Sequence, residues 1–91
     1  KRQLEALARS LAAEWAPNIR VNMVNPSLTD TPLAEALLST EQKRENAALR
    51  HPLKKIGSPL DIAKAAIFCL ENEWITGQTI GVDGGMSSLR L

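Results

Sequence analysis

The chain has 91 residues, the length of one small domain or of part of one. Its 44% hydrophobic and 23% charged residues are typical of a soluble globular protein, and a net charge of +1 gives no argument for nucleic acid or an anionic membrane as a partner. The single cysteine, Cys69, excludes an internal disulfide and a cysteine-based metal site, and we expect it to be buried in a helix. No metal site and no membrane-spanning helix are expected.

The first predicted element is an amphipathic helix over residues 1–16. Its apolar positions recur with a period of about 3.6 residues and form one stripe, and Pro17 ends the helix. The stripe consists of Leu4, Leu7, Ala8, Leu11, Ala12 and Trp15.

A strand is predicted over residues 19–24, because apolar and polar side chains alternate there. Residues 25–27, Asn-Pro-Ser, break the strand. The following polar segment, residues 32–50, is predicted as a helical excursion in which Thr31 and Thr40 are the N-caps of two short helices.

The next helix has the clearest start in the chain. Ser58 is a predicted N-cap, Pro59 stands at the first helical position, and Asp61 completes a variant of the capping box. A short apolar strand follows over residues 79–82, and residues 83–85, Asp-Gly-Gly, predict a turn that needs positive φ. A strand, a helix and a second strand in this order indicate a parallel βαβ unit, so the pattern predicts a piece of an α/β sheet.

Two further features have simple interpretations. His51 is the only histidine and precedes a proline, so it is interpreted as a solvated loop residue rather than a catalytic one. The adjacent Lys54 and Lys55 are also interpreted as part of a solvated loop.

Four blocks of sequence together resemble the short-chain dehydrogenase/reductase family. They are residues 1–14 (KRQLEALARSLAAE), 19–26 (IRVNMVNP), 51–63 (HPLKKIGSPLDIA) and 74–85 (WITGQTIGVDGG). The blocks occur in the family's order with family-like gaps, and they cover nearly the whole chain. The resemblance implies that residues 1–91 are a single piece, the C-terminal part of a Rossmann-like doubly wound parallel sheet.

The family resemblance also implies an activity. Members of the family bind NAD or NADP and transfer hydride between the nicotinamide and a small carbonyl or alcohol substrate, with a tyrosine as general acid/base. A lysine one helical turn later lowers the pKa of that tyrosine and holds the nicotinamide ribose, and Lys1 falls at this position. The sequence contains no tyrosine, and the catalytic serine and the Gly-rich phosphate loop are also missing from it, so we expect the 91 residues alone to be inactive.

Residues 26–31 match the family segment that lies over the nicotinamide and its carboxamide. The resemblance therefore implies cofactor-binding roles for Pro26, Ser27, Thr29 and Thr31. Ser27 stands where the family usually has glycine and Thr29 where it has Ile or Val, so the serine hydroxyl is expected to affect the position of the loop.

Residues 32–50 match the variable substrate lid of the family. Leu33, Leu37 and Leu38 are candidates to line a substrate pocket, although packing against the body of the protein is the favoured interpretation because apolar helix faces usually serve the core.

Two functions remain open at this point. The first is the C-terminal part of an NAD(P)-dependent oxidoreductase, and the alternative is a non-catalytic, truncated module that only oligomerises. In either case a homo-oligomer, a dimer or a tetramer, is expected through residues 1–16 and 59–83. A free piece of this length would expose one side of its first helix and an unpaired strand edge. We expect a cytoplasmic protein that binds neither nucleic acid nor membrane.

Overall fold

The computed structural model describes residues 2–89, and Lys1 lies outside this range. The elements, in chain order, are helix α1 (Arg2–Trp15), strand β1 (Met23–Pro26), a 3-10 helix (Pro32–Leu38), helix α2 (Glu41–Leu49), helix α3 (Pro59–Glu71) and strand β2 (Thr79–Val82). This is the predicted order of helix, strand, helical excursion, helix and strand.

Strands β1 and β2 pair in parallel, with Met23 opposite Thr79 and Pro26 opposite Val82. Helix α3 lies in the connection between them and packs against both strands. The predicted βαβ unit is therefore confirmed. In the part of the chain that the structure describes, these two strands form the whole sheet.

The prediction for β1 was wrong in its boundaries, because the strand spans Met23–Pro26 and not residues 19–24. The Asn22 side chain explains the late start: its Nδ2 donates to Ile75 O at 3.0 Å and its Oδ1 accepts from Gln78 N at 3.1 Å. The backbone ladder begins one residue later, where Met23 N donates to Gln78 O at 2.9 Å. Before Met23 one backbone hydrogen bond remains, from Gly77 N to Val21 O at 2.8 Å, and the Asn22 side chain takes the place of the next backbone contacts.

Helix α3 begins with the predicted capping box. Ser58 Oγ accepts from Asp61 N at 3.4 Å, and Asp61 Oδ2 accepts from Ser58 N at 2.9 Å. This backbone hydrogen bond from Ser58 holds the pKa of the Asp61 carboxyl below its usual value. Ser58 and Asp61, three positions apart, thus each accept a hydrogen bond from the other's backbone N–H at the helix start.

The other end of α3 is completed by a distant side chain. The Arg20 guanidinium donates from Nη1 to Cys69 O at 2.6 Å and from Nη2 to Leu70 O at 2.8 Å. The final carbonyls of a helix have no partner within the helix, and they carry the negative end of its dipole. Arg20 meets both requirements at once. Cys69 is buried, as predicted.

The main cluster of buried side chains lies outside the sheet. It consists of Ala34, Leu38 and Ala47, with Leu28 and Ile56 packed against it. The 3-10 helix and α2 contribute the buried residues, and the loops after β1 and before α3 contribute the other two. The hydrophobic core therefore supports the loops at one end of the strands.

The molecule is more extended than a closed domain of its length. Its radius of gyration is 15.2 Å, against about 12 Å for a compact domain of this size. Leu4 and Leu7 on α1 are more than half exposed, so the predicted apolar stripe of this helix is largely uncovered. None of the helices within residues 2–89 has the length and apolar character needed to cross a membrane.

Candidate functional site

The candidate site lies where the two strands end. Because β1 and β2 are parallel, the loop of residues 27–31 and the turn of residues 83–85 leave the same edge of the sheet. Residues 51–57, which precede α3, lie against both. We call residues 27–31, 51–57 and 83–85 the strand-end cluster. Ligands of open α/β sheets bind outside the carboxyl ends of the strands, which is this edge.

A cleft of about 520 Å³ opens within this cluster. Its lining includes Ser27, His51, Gly57, Asp83 and Gly84. All three segments of the strand-end cluster thus contribute to one concave surface.

The structure brings the predicted cofactor residues together in one loop. Pro26 is the last residue of β1, and Ser27 N donates to Val82 O at 3.4 Å. Thr29 forms an isolated parallel bridge with Gly57. These contacts fix the first half of the loop against β2 and against the segment before α3.

Gly57 allows the loop to approach closely. A Cβ atom at this position would lie 3.2 Å from Thr29 Cγ2, closer than ordinary van der Waals contact. Asp30 N also donates to Gly57 O at 2.9 Å. The Thr29 methyl therefore packs where a larger residue at position 57 would push the loop away.

Thr31 uses its hydroxyl oxygen as a helix cap. Its Oγ1 accepts from Ala34 N at 3.3 Å, which confirms the predicted N-cap. A hydroxyl that accepts one hydrogen bond still has its own proton to donate. Thr31 can therefore cap the 3-10 helix and at the same time donate to an amide or phosphate oxygen of a ligand.

The structure contradicts the interpretation of His51 as a solvated loop residue. Its side chain is buried, with a relative exposure of 2% for the residue. Nδ1 lies 2.8 Å from Ala47 O and Nε2 lies 3.0 Å from Ser27 Oγ. Both ring nitrogens have partners, which is what allows an imidazole to be buried. Ala47 is only four residues away, but Ser27 is 24 residues earlier, so the residues around Pro52 could not have predicted the second contact.

The two contacts of His51 define its tautomer. Ala47 O is a carbonyl and can only accept, so Nδ1 carries the proton and donates to it. In the neutral ring, Nε2 is then an acceptor, and the Ser27 hydroxyl donates to it. Met86 Sδ, 3.6 Å from Ser27 Oγ, is the weaker acceptor for the same proton. The Ser27 hydroxyl therefore points at the ring of His51.

An ion pair joins the same loop to α2. Arg44 Nη2 lies 2.6 Å from Asp30 Oδ2, with both side chains about half exposed. The hydrogen bond from Arg44 holds the pKa of the Asp30 carboxyl below its usual value. Exposed pairs of this kind contribute little to stability, so the pair is a contact between the loop and α2 rather than a major source of folding energy.

The turn after β2 has the geometry that its sequence predicted. Gly84 and Gly85 have φ angles of +61° and +88°. Asp83 Oδ1 accepts from Gly85 N at 3.0 Å and Oδ2 accepts from Ser87 N at 3.2 Å. Hydrogen bonds from the Ser87 hydroxyl and from these backbone amides lower the pKa of the Asp83 carboxyl. The turn is also tied to the segment before α3, since Leu53 N donates to Gly84 O at 3.0 Å.

The three candidate leucines of the lid separate into two groups. Leu38 is buried at 4% exposure, but Leu33 and Leu37 are 96% and 64% exposed. Packing against the body is thus correct for Leu38 and wrong for the other two. Ala34 and Leu38 occupy the inward positions of the 3-10 helix, so the neighbouring leucines point outward.

The fold and the site together define a class: part of a Rossmann-like α/β sheet whose loops gather at the carboxyl ends of parallel strands. The sequence matches, over residues 1–87, the family model described as Enoyl-(Acyl carrier protein) reductase. The chain therefore belongs to this family of short-chain dehydrogenases/reductases.

Individual relatives agree with this assignment. The chain is 45% identical over 91 residues to carbonyl reductase family member 4 of Danio rerio, covering 98% of this chain and 36% of that protein. Among solved structures, the ligand-free aldohexose dehydrogenase of Thermoplasma acidophilum matches with a TM-score of 0.85 and 34% identity, over 98% of this chain and 39% of that one. A small-chain dehydrogenase in complex with NADPH matches with a TM-score of 0.80 and 36% identity, over 91% of this chain and 38% of that one. The chain thus spans about a third of the length of the curated relatives it matches.

Proposed function

We propose that the protein containing this chain is an NAD(P)-dependent short-chain oxidoreductase that transfers hydride between nicotinamide and a small carbonyl or alcohol substrate. The observation that carries the proposal is the loop of residues 27–31, held at the carboxyl edge of a parallel strand pair. Relatives named as reductases and dehydrogenases support it, as does the NADPH complex of one structural neighbour.

In this proposal the loop residues bind the nicotinamide end of the cofactor. Pro26, Ser27 and Thr29 present the backbone of the loop, and Thr31 donates its free hydroxyl proton. The bound cofactor supplies or accepts the hydride. Lys1 lowers the pKa of a tyrosine in the same protein and holds the nicotinamide ribose.

The lid residues are proposed to contact the substrate. Leu33 and Leu37 are exposed apolar side chains on the 3-10 helix, directly after the loop of residues 27–31. Leu38 anchors that helix in the core. This division gives the lid one side that stays packed and one side that is available to an apolar part of a substrate.

The first test is cofactor binding and turnover by the protein that contains this chain. Its intact mass is measured first, to define which residues accompany Lys1. NADH and NADPH are then titrated by fluorescence, and oxidation of each is followed against a panel of aldehydes, ketones and 3-oxoacyl thioesters. Binding of one cofactor and turnover of one carbonyl class is expected. Failure to bind either cofactor contradicts the proposal.

Two variants sharpen this test at the loop. Thr31→Val removes a hydroxyl and is expected to raise the cofactor Kd by about three- to tenfold, the cost of one lost hydrogen bond. Thr40→Val is the matched control, because Thr40 caps α2 through the same type of hydrogen bond and lies outside the loop. If both variants weaken cofactor binding equally, the loss of affinity is due to helix capping and not to a contact of Thr31 with the cofactor.

A second pair of variants tests Lys1. Lys1→Met is expected to lower kcat by about 100-fold or more, because the tyrosine would lose the cation that favours its phenolate. Arg2→Met, which removes the neighbouring cation at an exposed position of α1, is the control and leaves kcat unchanged. An unchanged kcat in Lys1→Met would remove Lys1 from the catalytic group.

The alternative, a module that only oligomerises, is favoured by the uncovered helix faces. Leu4 and Leu7 on α1, and Ile67, Phe68 and Leu70 on α3, are all more than half exposed. We propose that these faces are buried in a dimer or tetramer through residues 1–16 and 59–83, in a cytoplasmic protein. Sedimentation at several concentrations tests this, and a stable folded monomer would contradict it. Oligomers without cofactor binding would favour the module over the enzyme.

A further inference from the structure

His51 and Ser27 are joined by a contact that the proposed roles of the loop residues do not explain. His51 is buried, and its ring is held on one side by Ala47 O at the end of α2. On the other side Nε2 meets Ser27 Oγ at 3.0 Å. The imidazole therefore connects the frame of α2 to the first residue after β1.

The surroundings keep this ring in place. A Cβ atom at Gly84 would lie 3.3 Å from His51 Cβ, so the glycine of the turn after β2 makes room for the histidine. Two residues after His51, Leu53 N donates to Gly84 O at 3.0 Å. The histidine is thus enclosed by α2, by the turn after β2 and by the start of the loop.

Ser27 is the point at which this connection reaches the loop. Its backbone N donates to Val82 O and its side chain meets His51, so both its main chain and its side chain are held. A glycine at this position would have no side chain to hold and would be free in φ. The serine therefore restricts the loop where a glycine would leave it flexible.

We propose that His51 is a positioning residue for nicotinamide binding, which sets the orientation of residues 27–31 through its hydrogen bond to Ser27. The proposal rests on the proposed function, because it takes this loop to be the one that covers the nicotinamide. In this proposal His51 acts through Ser27 and takes no part in the hydride transfer itself.

Two further contacts hold the rest of the loop against α2 and the segment before α3. Thr29 bridges Gly57, and Asp30 pairs with Arg44 of α2. The loop is thus held at its beginning by His51 and further along by these two contacts. The His51 contact therefore acts on the first residue of the loop, where the chain leaves β1, while the two later contacts hold its second half.

The hydrogen bond survives a change in the charge of the ring. In the neutral ring the Ser27 hydroxyl donates to Nε2, whereas in the protonated ring Nε2–H donates to Ser27 Oγ. In the second case the hydroxyl proton can turn to Met86 Sδ, at 3.6 Å. The position of Ser27 is therefore kept in both states, as a positioning residue requires.

The central experiment measures cofactor binding in the protein that contains this chain. Ser27→Ala removes only the hydroxyl and is expected to raise the Kd of NADH or NADPH by about three- to tenfold, with a smaller change in kcat at saturating cofactor. Ser10→Ala is the matched control, since Ser10 is an exposed serine on α1 that lies outside the cleft. An effect of Ser27→Ala no larger than that of Ser10→Ala overturns the proposal and leaves the proposed function standing.

A double-mutant cycle tests whether the two residues act together. His51→Leu removes both ring hydrogen bonds, and thermal unfolding checks that this variant is folded. The double variant, Ser27→Ala with His51→Leu, is expected to bind cofactor no more weakly than His51→Leu alone. Additive losses would overturn the proposal, and if His51→Leu does not fold, the comparison of Ser27→Ala with Ser10→Ala decides.

A spectroscopic readout tests the contact without any cofactor. In the neutral form of the ring, ¹⁵N NMR of His51 is expected to show a protonated Nδ1 and an Nε2 resonance that moves in Ser27→Ala. A protonated Nε2 in the neutral ring, or no shift in Ser27→Ala, overturns the proposal. If wild-type protein gives the expected spectrum and binds neither cofactor, the hydrogen bond is real, and the proposed function fails together with the positioning role.

Discussion

The strand-end cluster and the apolar faces of α1 and α3 differ in how completely their side chains find partners within the described residues. In the strand-end cluster, His51 is buried with both ring nitrogens bonded, and backbone hydrogen bonds join its three segments. On α1 and α3, large apolar side chains such as Leu7 and Leu70 remain exposed. The comparison indicates that contacts within the described residues hold the loops at the end of the strands. The apolar faces of α1 and α3, in contrast, need a covering surface that the described residues do not provide.

The largest expected effect tests the core beneath the strand-end cluster. Leu38→Ala is expected to lower the free energy of unfolding by about 3 kcal/mol, because it leaves a cavity beside Ala34 and Ala47. Leu37→Ala, one residue earlier and 64% exposed, is the control and should change it by less than about 0.5 kcal/mol. Urea denaturation of the two variants measures both values. Equal losses would mean that a partner surface covers Leu37 as tightly as the core covers Leu38.

The next effect concerns the turn after β2. Gly84→Ala is expected to cost about 1–2 kcal/mol of unfolding free energy, because φ is +61° and the new methyl would lie 3.3 Å from His51 Cβ. Gly81→Ala is the matched control, since Gly81 lies in β2 without a positive φ and a Cβ there meets only ordinary contacts. Thermal unfolding compares the two. A harmless Gly84→Ala would show that this turn is more adaptable than its contacts indicate.

A smaller effect is expected at the junction between the two regions. Ser58→Ala removes the N-cap of α3 and is expected to cost about 1 kcal/mol. Ser10→Ala, at an exposed position within α1, should be close to neutral. Chemical denaturation gives both values. A loss in Ser10→Ala as large as that in Ser58→Ala would place the α1 face in an interface.

The smallest effect is a pH dependence within the turn. The pKa of Asp83 is lowered in the folded protein, so its contribution to stability is present at neutral pH and is lost as the pH falls below about 4 toward the lowered pKa. Asp83→Asn should therefore be less stable than wild type at pH 7, and the difference should shrink at pH 3. Denaturation at the two pH values tests this. A difference that does not depend on pH would contradict the assigned hydrogen bonds.

Features set by neighbouring residues were predictable from the sequence. The capping box at Ser58, the N-caps Thr31 and Thr40, and the positive φ angles at Gly84 and Gly85 all follow from residues within a few positions of each other. The order of the elements and the parallel pairing were also predictable, because two strands joined by a helix have few possible topologies.

Features set by distant contacts were not predictable in this way. The burial of His51 depends on Ser27, 24 residues earlier, and on the turn at Gly84. The start of β1 at Met23 depends on the hydrogen bonds that Asn22 makes with Ile75 and Gln78. The exposure of Leu33 and Leu37 could not be predicted from spacing, because the exposed pair Leu33 and Leu37 and the buried pair formed by the next residues, Ala34 and Leu38, are both four positions apart.

The contact of Arg20 with the end of α3 has a consequence for the order in which the chain folds. The guanidinium reaches Cys69 O and Leu70 O across 49 and 50 residues of sequence. The start of α3 can form locally, but its last turn gains its partner only after this long loop has closed, at a cost in chain entropy. Amide exchange in the last turn of α3 therefore reports on the closure of the whole βαβ unit, while exchange in the first turn reports on the helix alone.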